Sequence, residues 1–273
     1  HYNDVAGSLR YAHAHYRWQY GTIYLACLRQ RERISAERRS MERADFVTAP
    51  SQAIVDAMRA EGIALPGHVP ILPNPVKVCD AGTVEEADTP TLLFVGRMDF
   101  GKGLAHLPDV LKGLRSRIPE FRLEIAGGDG YSRGIGSLKE WFEKRNKGLE
   151  EQIVYLGHLD QVELDKAYRR AWIVVAPSNW DTFPNIVLEA MARSKPVVGS
   201  DTGGIPEILK GTPNISADPS SGAFIDGICG FIKDRSLRIN AGKAGKKKAA
   251  EQYSPDGVAG EFIDTMERFL SSL

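Results

Sequence analysis

Residues 172–207 read WIVVAPSNWDTFPNIVLEAMARSKPVVGSDTGGIPE, and this stretch contains one full unit of the pattern that decides the fold. The apolar, β-branched run at 172–176 predicts a buried strand, Pro184 favours the start of a helix, and PVVG at 196–199 predicts the next strand. A strand, a helix and a second strand in this order form a βαβ unit, whose two strands are parallel. The stretch therefore predicts an α/β fold.

The same alternation fills the chain from residue 91 onward. Further strands are predicted at TLLFV (91–95), FRLEIA (121–126) and IVYL (153–156). Apolar residues between the first two of these strands recur every three or four positions, from Leu104 to Ile118, which predicts a helix. Strands and helices that alternate in this way indicate a Rossmann-like, doubly wound parallel sheet.

The two ends of the chain show other patterns. Residues 219–273 have no strand signal and predict two or three amphipathic helices that cover the sheet. Residues 4–43 read as a long polar helix, followed by a strand-like DFVTA at 45–49 and a helix that opens at Ser51 and closes at Gly62.

A domain boundary is predicted near residue 75. The segment VPILPNPV at 69–76 contains prolines that stiffen it and keep it extended. We therefore predict the incomplete end of one Rossmann-like domain at 1–75, a connector at 76–90 and a complete domain with C-terminal helices at 91–273.

The composition excludes several classes of protein. Lysine plus arginine equals aspartate plus glutamate at 35 each, so no overall field draws the chain to nucleic acid or to an anionic membrane. The three cysteines are widely spaced and show no zinc-type pattern, which indicates a reducing compartment. No apolar run approaches the ~20 residues that cross a bilayer. We expect a cytoplasmic protein, with a peripheral role at the inner face of the membrane left open.

The first residues that could carry chemistry follow the strand at 91–95. GRMDFGKG places Gly96, Arg97 and Lys102 on a glycine-rich loop that leads into a helix at about Leu104. Ligands of doubly wound sheets bind outside the carboxyl ends of the strands. Glycine allows close approach of the backbone, a helix N-terminus favours an anion, and two cations could hold a diphosphate. The alternative is an ordinary solvated loop.

Two carboxylates lie in the quoted stretch with seven residues between them: Asp181 before the helix and Glu189 within it. A carboxylate accepts hydrogen bonds from paired hydroxyl groups, so one could bind a transferred sugar and the other a ribose. Alternatively, both are exposed or interact with the helix dipole. Gly203 and Gly204 offer another turn suited to an anion, although a structural role is the favoured interpretation.

These motifs together resemble one family. F-V-G-R-x4-K-G, L-G-H, P-S-x2-D-x7-E-A-M-A, P-V-V and G-G-I-P-E, in this order and spacing, resemble the donor domain of the large retaining glycosyltransferase family of GT-B fold. The resemblance covers residues 44–270. It implies transfer of a sugar, with retention, from a nucleotide diphosphate carrier to a glycan, a lipid-linked molecule or a small-molecule acceptor. It implies no cofactor besides this donor substrate.

The resemblance also implies roles for individual residues. Arg97 and Lys102 match the cations that neutralise the diphosphate and the charge of the leaving group. Asp181 matches the acid that contacts the donor sugar, Glu189 matches the acid that contacts the ribose, and the backbone around Gly157 matches a segment beside the base. Because the sequence has no Asp-x-Asp motif, we expect a reaction that needs no metal.

Two features depart from the family pattern. Asp181 stands where glutamate is common and is one methylene shorter, so the sugar or its ring position is expected to differ. Where the family often has Gly-Phe-Gly, this chain has Thr182, Phe183 and Pro184, and Pro184 has no N–H to donate. Asn185 is expected to supply a side-chain donor instead.

The resemblance implies that residues 1–75 hold only the end of the acceptor-side domain. We therefore expect sugar transfer to need the remaining half or a second chain. Apolar helix faces such as Ile54, Val55 and Met58 are expected to lack cover and to promote self-association. The alternatives are a nucleotide-sugar binding module without turnover and a related sugar phosphorylase.

Overall fold

A computed structural model describes residues 34–78 and 86–272 of the chain. Its main sheet has six strands: β1 (Thr91–Val95), β2 (Arg122–Ala126), β5 (Ile153–Gly157), β6 (Ile173–Ala176), β7 (Val197–Gly199) and β8 (Ile215–Ser216). A separate antiparallel hairpin consists of β3 (Tyr131–Ser132) and β4 (Gly136–Ser137).

The strand order of the main sheet is β5-β2-β1-β6-β7-β8, and every pairing in it is parallel. The chain therefore moves outward from β1 through β2 to β5, returns to the other side of β1 with β6, and then moves outward again. The order reverses between β1 and β6. In a doubly wound sheet this is the topological switch point, where a crevice opens outside the carboxyl ends of the strands.

Helices connect the strands and cover both faces of the sheet. They are α1 (Gln52–Ala60), α2 (Leu107–Arg115), α3 (Leu138–Arg145), α4 (Gln161–Arg170), α5 (Asn185–Ala192), α6 (Ile205–Leu209), α7 (Gly222–Lys233), α8 (Arg235–Gln252) and α9 (Pro255–Leu270). Residues 34–42 are also helical, and Glu150–Gln152 form a single 3₁₀ turn before β5.

Strand β1 shows why the sheet is buried on both sides. Leu92 and Phe94 pack into a core with α2, α3 and α7, whereas Leu93 and Val95 pack into a second core with α4, α5 and α6. All five residues of the strand are buried. A strand with helices over both faces has no solvated side, so its sequence is a continuous apolar run. The predicted α/β fold is confirmed.

Most predicted elements are confirmed, with boundaries that agree to about one residue. Helix α4 begins with a capping box, in which the Asp160 side chain accepts from the Glu163 amide and the Glu163 side chain accepts from the Asp160 amide. The helix predicted from Leu104 begins only at Leu107. Gly103 has a φ of +83°, which a right-handed helix does not allow.

The strand predicted at 45–49 is wrong. This segment makes only an isolated parallel bridge, between Ala49 and Ile71. Pro70 and Pro73 flank the bridge, and proline has no N–H with which to extend a ladder. Of the long helix predicted at 4–43, only its end falls within the described residues, where residues 34–42 are helical.

The expected lack of cover on α1 is wrong for its central residue. Val55 is buried and packs with Ala49 and Val69 in a small core of its own. The N-terminus of α1 also contacts α6, because the Glu207 carboxylate accepts hydrogen bonds from the amides of Gln52 at 2.9 Å and Ala53 at 2.6 Å. The predicted domain limits stay a prediction.

Lys195, between α5 and β7, is buried against the end of α4. Lys195 is 1% exposed, and its Nζ donates to the carbonyl oxygens of Arg169 at 2.7 Å and Ala171 at 2.9 Å. Burial disfavours the charged ammonium and lowers the pKa of Lys195 to about 8 from the usual 10.5. Between these two pH values the native side chain is neutral and the unfolded one is protonated.

We expect Lys195 to contribute a rise in the free energy of unfolding with pH over this window, because this side chain binds a proton in the unfolded chain but not in the native chain. Lys195→Met should remove up to about 3 kcal/mol of this rise. Urea unfolding at pH 7.5, 9 and 10.5 measures it, with the exposed Lys243→Met as the control. A Lys195→Met profile parallel to that of the wild type would contradict the prediction.

Candidate functional site

A cleft of about 330 Å³ lies outside the carboxyl ends of β1 and β6, at the switch point of the sheet. Both strand-to-helix loops contribute to its walls. The lining residues are Arg97, Asp99, Gly101, Lys102, Trp180, Asp181 and Thr182. Three of the residues predicted from the sequence as catalytic, Arg97, Lys102 and Asp181, therefore meet in one place.

The central contact of the cleft is an ion pair. Lys102 Nζ lies 2.6 Å from Asp181 Oδ2, although the two residues are 79 positions apart in the sequence. The Asp181 side chain is 14% exposed and the Lys102 side chain is 47% exposed. An ammonium group has three donors and this contact uses one of them, so Lys102 can bind a further acceptor on its solvent side.

The two loops meet because their backbones touch. A Cβ atom on Gly103 would lie 1.7 Å from the carbonyl oxygen of Pro177, so only glycine fits at this position. Asn179 adds two hydrogen bonds, from its amide to the Gly101 carbonyl at 3.0 Å and from its side chain to the Phe100 carbonyl at 2.8 Å. These contacts hold Lys102 opposite Asp181.

Arg97 occupies the rim of the cleft. Its guanidinium donates to Asp99 Oδ2 at 3.0 Å, and 71% of its side chain is exposed. The other carboxylate oxygen of Asp99 accepts from the Gly101 amide at 2.8 Å. Gly96 precedes Arg97 with a φ of +138°, a backbone conformation that favours glycine.

The segment that carries Asp181, residues 181–185, is termed the acid loop, and it packs directly on the two glycines that follow β7. A Cβ atom on Gly203 would lie 2.0 Å from the carbonyl oxygen of Asp181, and one on Gly204 would lie 2.2 Å from that of Thr182. The Gly204 amide donates to the Asp181 carbonyl at 2.9 Å. This geometry supports the structural interpretation of both glycines.

Three further residues predicted to bind a donor lie in the acid loop after Thr182. Phe183 is buried with its ring edge against Tyr253, Pro184 is buried ahead of the first residue of α5, and Asn185 accepts from the Asn74 side chain at 3.0 Å. Within the described residues, the cleft lining does not include them. Their assignment stays a prediction.

Glu189 and Gly157 lie outside the group that lines the cleft. The Glu189 carboxylate accepts from the hydroxyl of Tyr168 at 3.0 Å. Burial, and then the negative charge of Glu189, raise the pKa of Tyr168 well above its usual value, so this hydroxyl remains a donor. Gly157 ends β5 with a φ of +68°, and its carbonyl accepts from the Gly127 amide at 2.7 Å.

The sequence analysis did not identify two residues that line the cleft, Trp180 and Asp99. Trp180 lines it beside Asp181, and its position in the loop after β6 could have indicated this. Asp99 lines it between the two cations, and its contact with Arg97 could not be read from the sequence. At the entrance of α2, His106 Nε2 lies 2.6 Å from Asn179 Oδ1.

In residues 34–78 and 86–272, no group of three or more histidine, cysteine, aspartate or glutamate side chains is arranged to hold a metal ion. No helix within the same ranges has the length and apolar character that a membrane span requires.

Residues 80–248 match the family model described as glycosyl transferases group 1. The chain belongs to this family. The match includes both loops of the cleft, the acid loop and Glu189. The resemblance inferred from the motifs is confirmed at the level of a group 1 glycosyltransferase domain with GT-B-like structural neighbours.

Among the relatives of this group 1 glycosyltransferase chain is an uncharacterized glycosyltransferase from Methanocaldococcus jannaschii. It is 32% identical over 183 residues, which are 65% of this chain and 44% of that protein. The chain therefore spans less than half the length of this relative.

Two solved structures share the fold of this chain. Sucrose-phosphate synthase from Thermosynechococcus elongatus superposes with a TM-score of 0.73 at 21% identity, covering 89% of this chain and 63% of that one. Anabaena HepE, solved in complex with UDP and glucose, superposes with a TM-score of 0.71 at 17% identity, covering 86% and 65%. At these identities the likeness shows the fold alone.

We expect Gly203→Ala to destabilise this group 1 domain by roughly 3 kcal/mol or more. Its φ of +60° is strained for alanine, and the new Cβ would displace the backbone of the acid loop. Gly211 is a matched control, because its φ is +78° and a Cβ there would meet no atom within 4 Å. Gly211→Ala should cost only about 1 kcal/mol.

Urea unfolding of the two variants separates the cost of a positive φ, which both share, from the cost of the steric overlap, which only Gly203→Ala has. Equal losses of unfolding free energy in Gly203→Ala and Gly211→Ala would show that the contact with the acid loop is unimportant for stability.

Proposed function

We propose that the cleft binds a nucleotide diphosphate sugar and that the chain forms the donor-binding part of a retaining, metal-independent glycosyltransferase. The observation that carries this proposal is the contact between Lys102 and Asp181 at the switch point of the sheet. It joins a cation suited to phosphate with a carboxylate suited to sugar hydroxyl groups. The diphosphate and the sugar are bonded to each other in a nucleotide diphosphate sugar, so the donor needs these two partners side by side.

We propose that the two cations bind the diphosphate. Lys102 and Arg97 both have large exposed fractions on the side of the cleft, so a ligand can reach them without displacing the core. Charge-assisted hydrogen bonds to phosphate are about twice as strong as neutral ones. The same cations would stabilise the negative charge that develops on the diphosphate when the bond to the sugar breaks. This is the reason to propose a reaction without a metal.

Asp181 is proposed to bind the sugar. Its carboxylate can accept hydrogen bonds at about four lone-pair positions, and Lys102 takes one of them. Thr182 and Trp180 lie on either side of it in the cleft lining. An indole ring offers an apolar face with a polar edge, which suits the mixed surface of a hexose.

Glu189 is proposed to bind the ribose. The Tyr168 hydroxyl occupies one position on its carboxylate and leaves others for a pair of ribose hydroxyl groups. Gly96 follows β1 and Gly157 ends β5, with β2 between these two parallel strands, and both glycines would allow the nucleotide to approach the backbone. Asn185 is proposed as a further donor to the ligand.

The names of the relatives support the donor class. Anabaena HepE is described as a complex with UDP and glucose, and the relative from Methanocaldococcus jannaschii is described as a glycosyltransferase. For the whole protein we propose a glycan, lipid-linked or small-molecule acceptor, retention at the anomeric carbon and a cytoplasmic location. Completion of the active site by further sequence or by a second chain belongs to the same proposal.

Thermal melting with UDP-glucose, GDP-mannose and ADP-glucose tests the proposal. Because a ligand that binds only the native state raises Tm, at least one of these sugars should raise it at millimolar concentration. If all three leave Tm unchanged, the assignment of the cleft is wrong.

We expect Lys102→Ala to weaken binding of the nucleotide diphosphate by about 1.5 to 3 kcal/mol, because it removes a charge-assisted hydrogen bond. Binding of the parent nucleoside should be almost unchanged. Calorimetric titration measures both, and Lys112→Ala, on the exposed surface of α2, is the matched control.

The titrations are made in EDTA and repeated with added magnesium. Equal losses for the nucleoside and its diphosphate would contradict the phosphate role of Lys102. Binding that disappears in EDTA and returns with magnesium would overturn the proposed independence from metal.

Substitutions of the two carboxylates should affect the binding of different ligands. Asp181→Asn is expected to weaken binding of the nucleotide sugar about 10-fold and to leave the free nucleotide nearly unchanged, because only the sugar contacts Asp181. Glu189→Gln should weaken both ligands by similar factors, because both contain the ribose. If Asp181→Asn weakens the sugar-bearing and sugar-free nucleotides equally, its assigned role is wrong.

A further inference from the structure

Three consecutive carbonyl groups of the acid loop are each held by a different segment of the chain. The Asp181 carbonyl accepts from the Gly204 amide at 2.9 Å. The Thr182 carbonyl accepts from Ser51 Oγ at 2.8 Å, and the Phe183 carbonyl accepts from Asn74 Nδ2 at 3.2 Å. Two of the three supports therefore come from the part of the chain that precedes β1.

Ser51 serves two partners at once. It is the N-cap of α1, where its side-chain oxygen accepts from the Ile54 amide, and the same hydroxyl donates to the Thr182 carbonyl. The residue is fully buried. A buried hydroxyl with both its donor and its acceptor in use has a fixed orientation, so the position of α1 is transmitted to the acid loop.

Asn74 and Glu207 strengthen the same connection. The Asn74 amide group donates both to the Phe183 carbonyl and to Asn185 Oδ1. The Glu207 carboxylate accepts from the first two amides of α1, which fixes this helix against α6. A carboxylate at a helix N-terminus also interacts favourably with the helix dipole. The acid loop is thus held between α6 on one side and α1 with the extended segment around Asn74 on the other.

We infer that Ser51 and Asn74 are positioning residues for the donor sugar. Neither residue lines the cleft formed by the described residues, and both act on Asp181 through the backbone of the acid loop. Their hydrogen bonds keep the Asp181 carboxylate at the distance from Lys102 at which both can contact one ligand. The inference rests on the proposed function, because it assigns the sugar to Asp181.

The reason for a functional effect is geometric. A carboxylate that must accept two hydroxyl groups of a sugar tolerates displacements of only about 0.5 Å before the hydrogen bonds weaken. The nucleotide contacts proposed for Arg97, Glu189 and Gly157 belong to other segments. Loosening the acid loop should therefore weaken binding of the sugar and spare binding of the nucleotide.

The test compares Ser51→Ala and Asn74→Ala with Ser116→Ala. Ser116 is a matched control, because its hydroxyl also donates to a backbone carbonyl at 2.8 Å, that of Gly113, at the exposed end of α2. Calorimetry measures the affinity for the best of UDP-glucose, GDP-mannose and ADP-glucose and for its parent nucleotide diphosphate. Hydrogen exchange measures the protection of the backbone amides of residues 182–187.

We expect Ser51→Ala and Asn74→Ala each to weaken binding of the nucleotide sugar about 3- to 10-fold, as the loss of one hydrogen bond implies. Binding of the nucleotide diphosphate should change less than about twofold, and exchange in the acid loop should become faster. Ser116→Ala should leave all three quantities unchanged. A merely structural role would lower Tm without altering the ratio of the two affinities.

The outcomes are distinct. If both variants keep the wild-type ratio of affinities and the wild-type exchange, the inference is overturned. If Ser51→Ala does not fold, the partly exposed Asn74 decides the question alone. If the wild type binds none of the nucleotide sugars, the proposed function fails. In that case the exchange measurement still decides whether Ser51 and Asn74 hold the acid loop.

Discussion

The loops after β1 and β6 come into backbone contact because Gly103 has no side chain. A methyl group at this position would overlap the carbonyl of Pro177, and the loops would have to separate. Their contact places Lys102 within 2.6 Å of Asp181. The cleft and the ion pair both depend on this one steric condition. Gly103, which the sequence alone would assign only to a loop, is therefore required for the geometry of the site.

The ion pair itself is a poor source of stability. Lys102 is about half exposed, and pairs of this kind contribute about 0 to 1 kcal/mol to folding because solvent screens them. In the proposed function this exposure matters, because a cation at the edge of solvent could contact an incoming phosphate at little cost. The free energy of folding comes instead from the two apolar cores on either side of β1. Stability and binding thus depend on different parts of the same βα units.

The acid loop shows how a short irregular segment is held still. Residues 181–183 lie outside every strand and helix, and partners from three other segments satisfy their carbonyl groups instead. Glycines beneath the loop let the backbone of residues 203–204 approach it closely. Part of the chain that resembles the end of another domain thereby supports the segment that carries Asp181. A boundary drawn at residue 75 from the sequence cuts through these contacts.

The sequence by itself determined the parallel sheet, the order of strands and helices along the chain, the loops in which Lys102 and Asp181 lie, and the helix that contains Glu189. These features follow from local periodicity, from caps such as Asp160 and from the rule that places ligands at strand ends. It could not determine which residues of those loops meet. Some of these contacts join positions far apart in the sequence, namely the pair of Lys102 with Asp181 and the hydrogen bonds from Ser51 and Asn74 to the acid loop. The contact of Asp99 with Arg97 depends on the direction of the two side chains. Only tertiary packing decides such contacts, because local sequence patterns specify φ, ψ and burial but carry no information about the relative placement of separate loops.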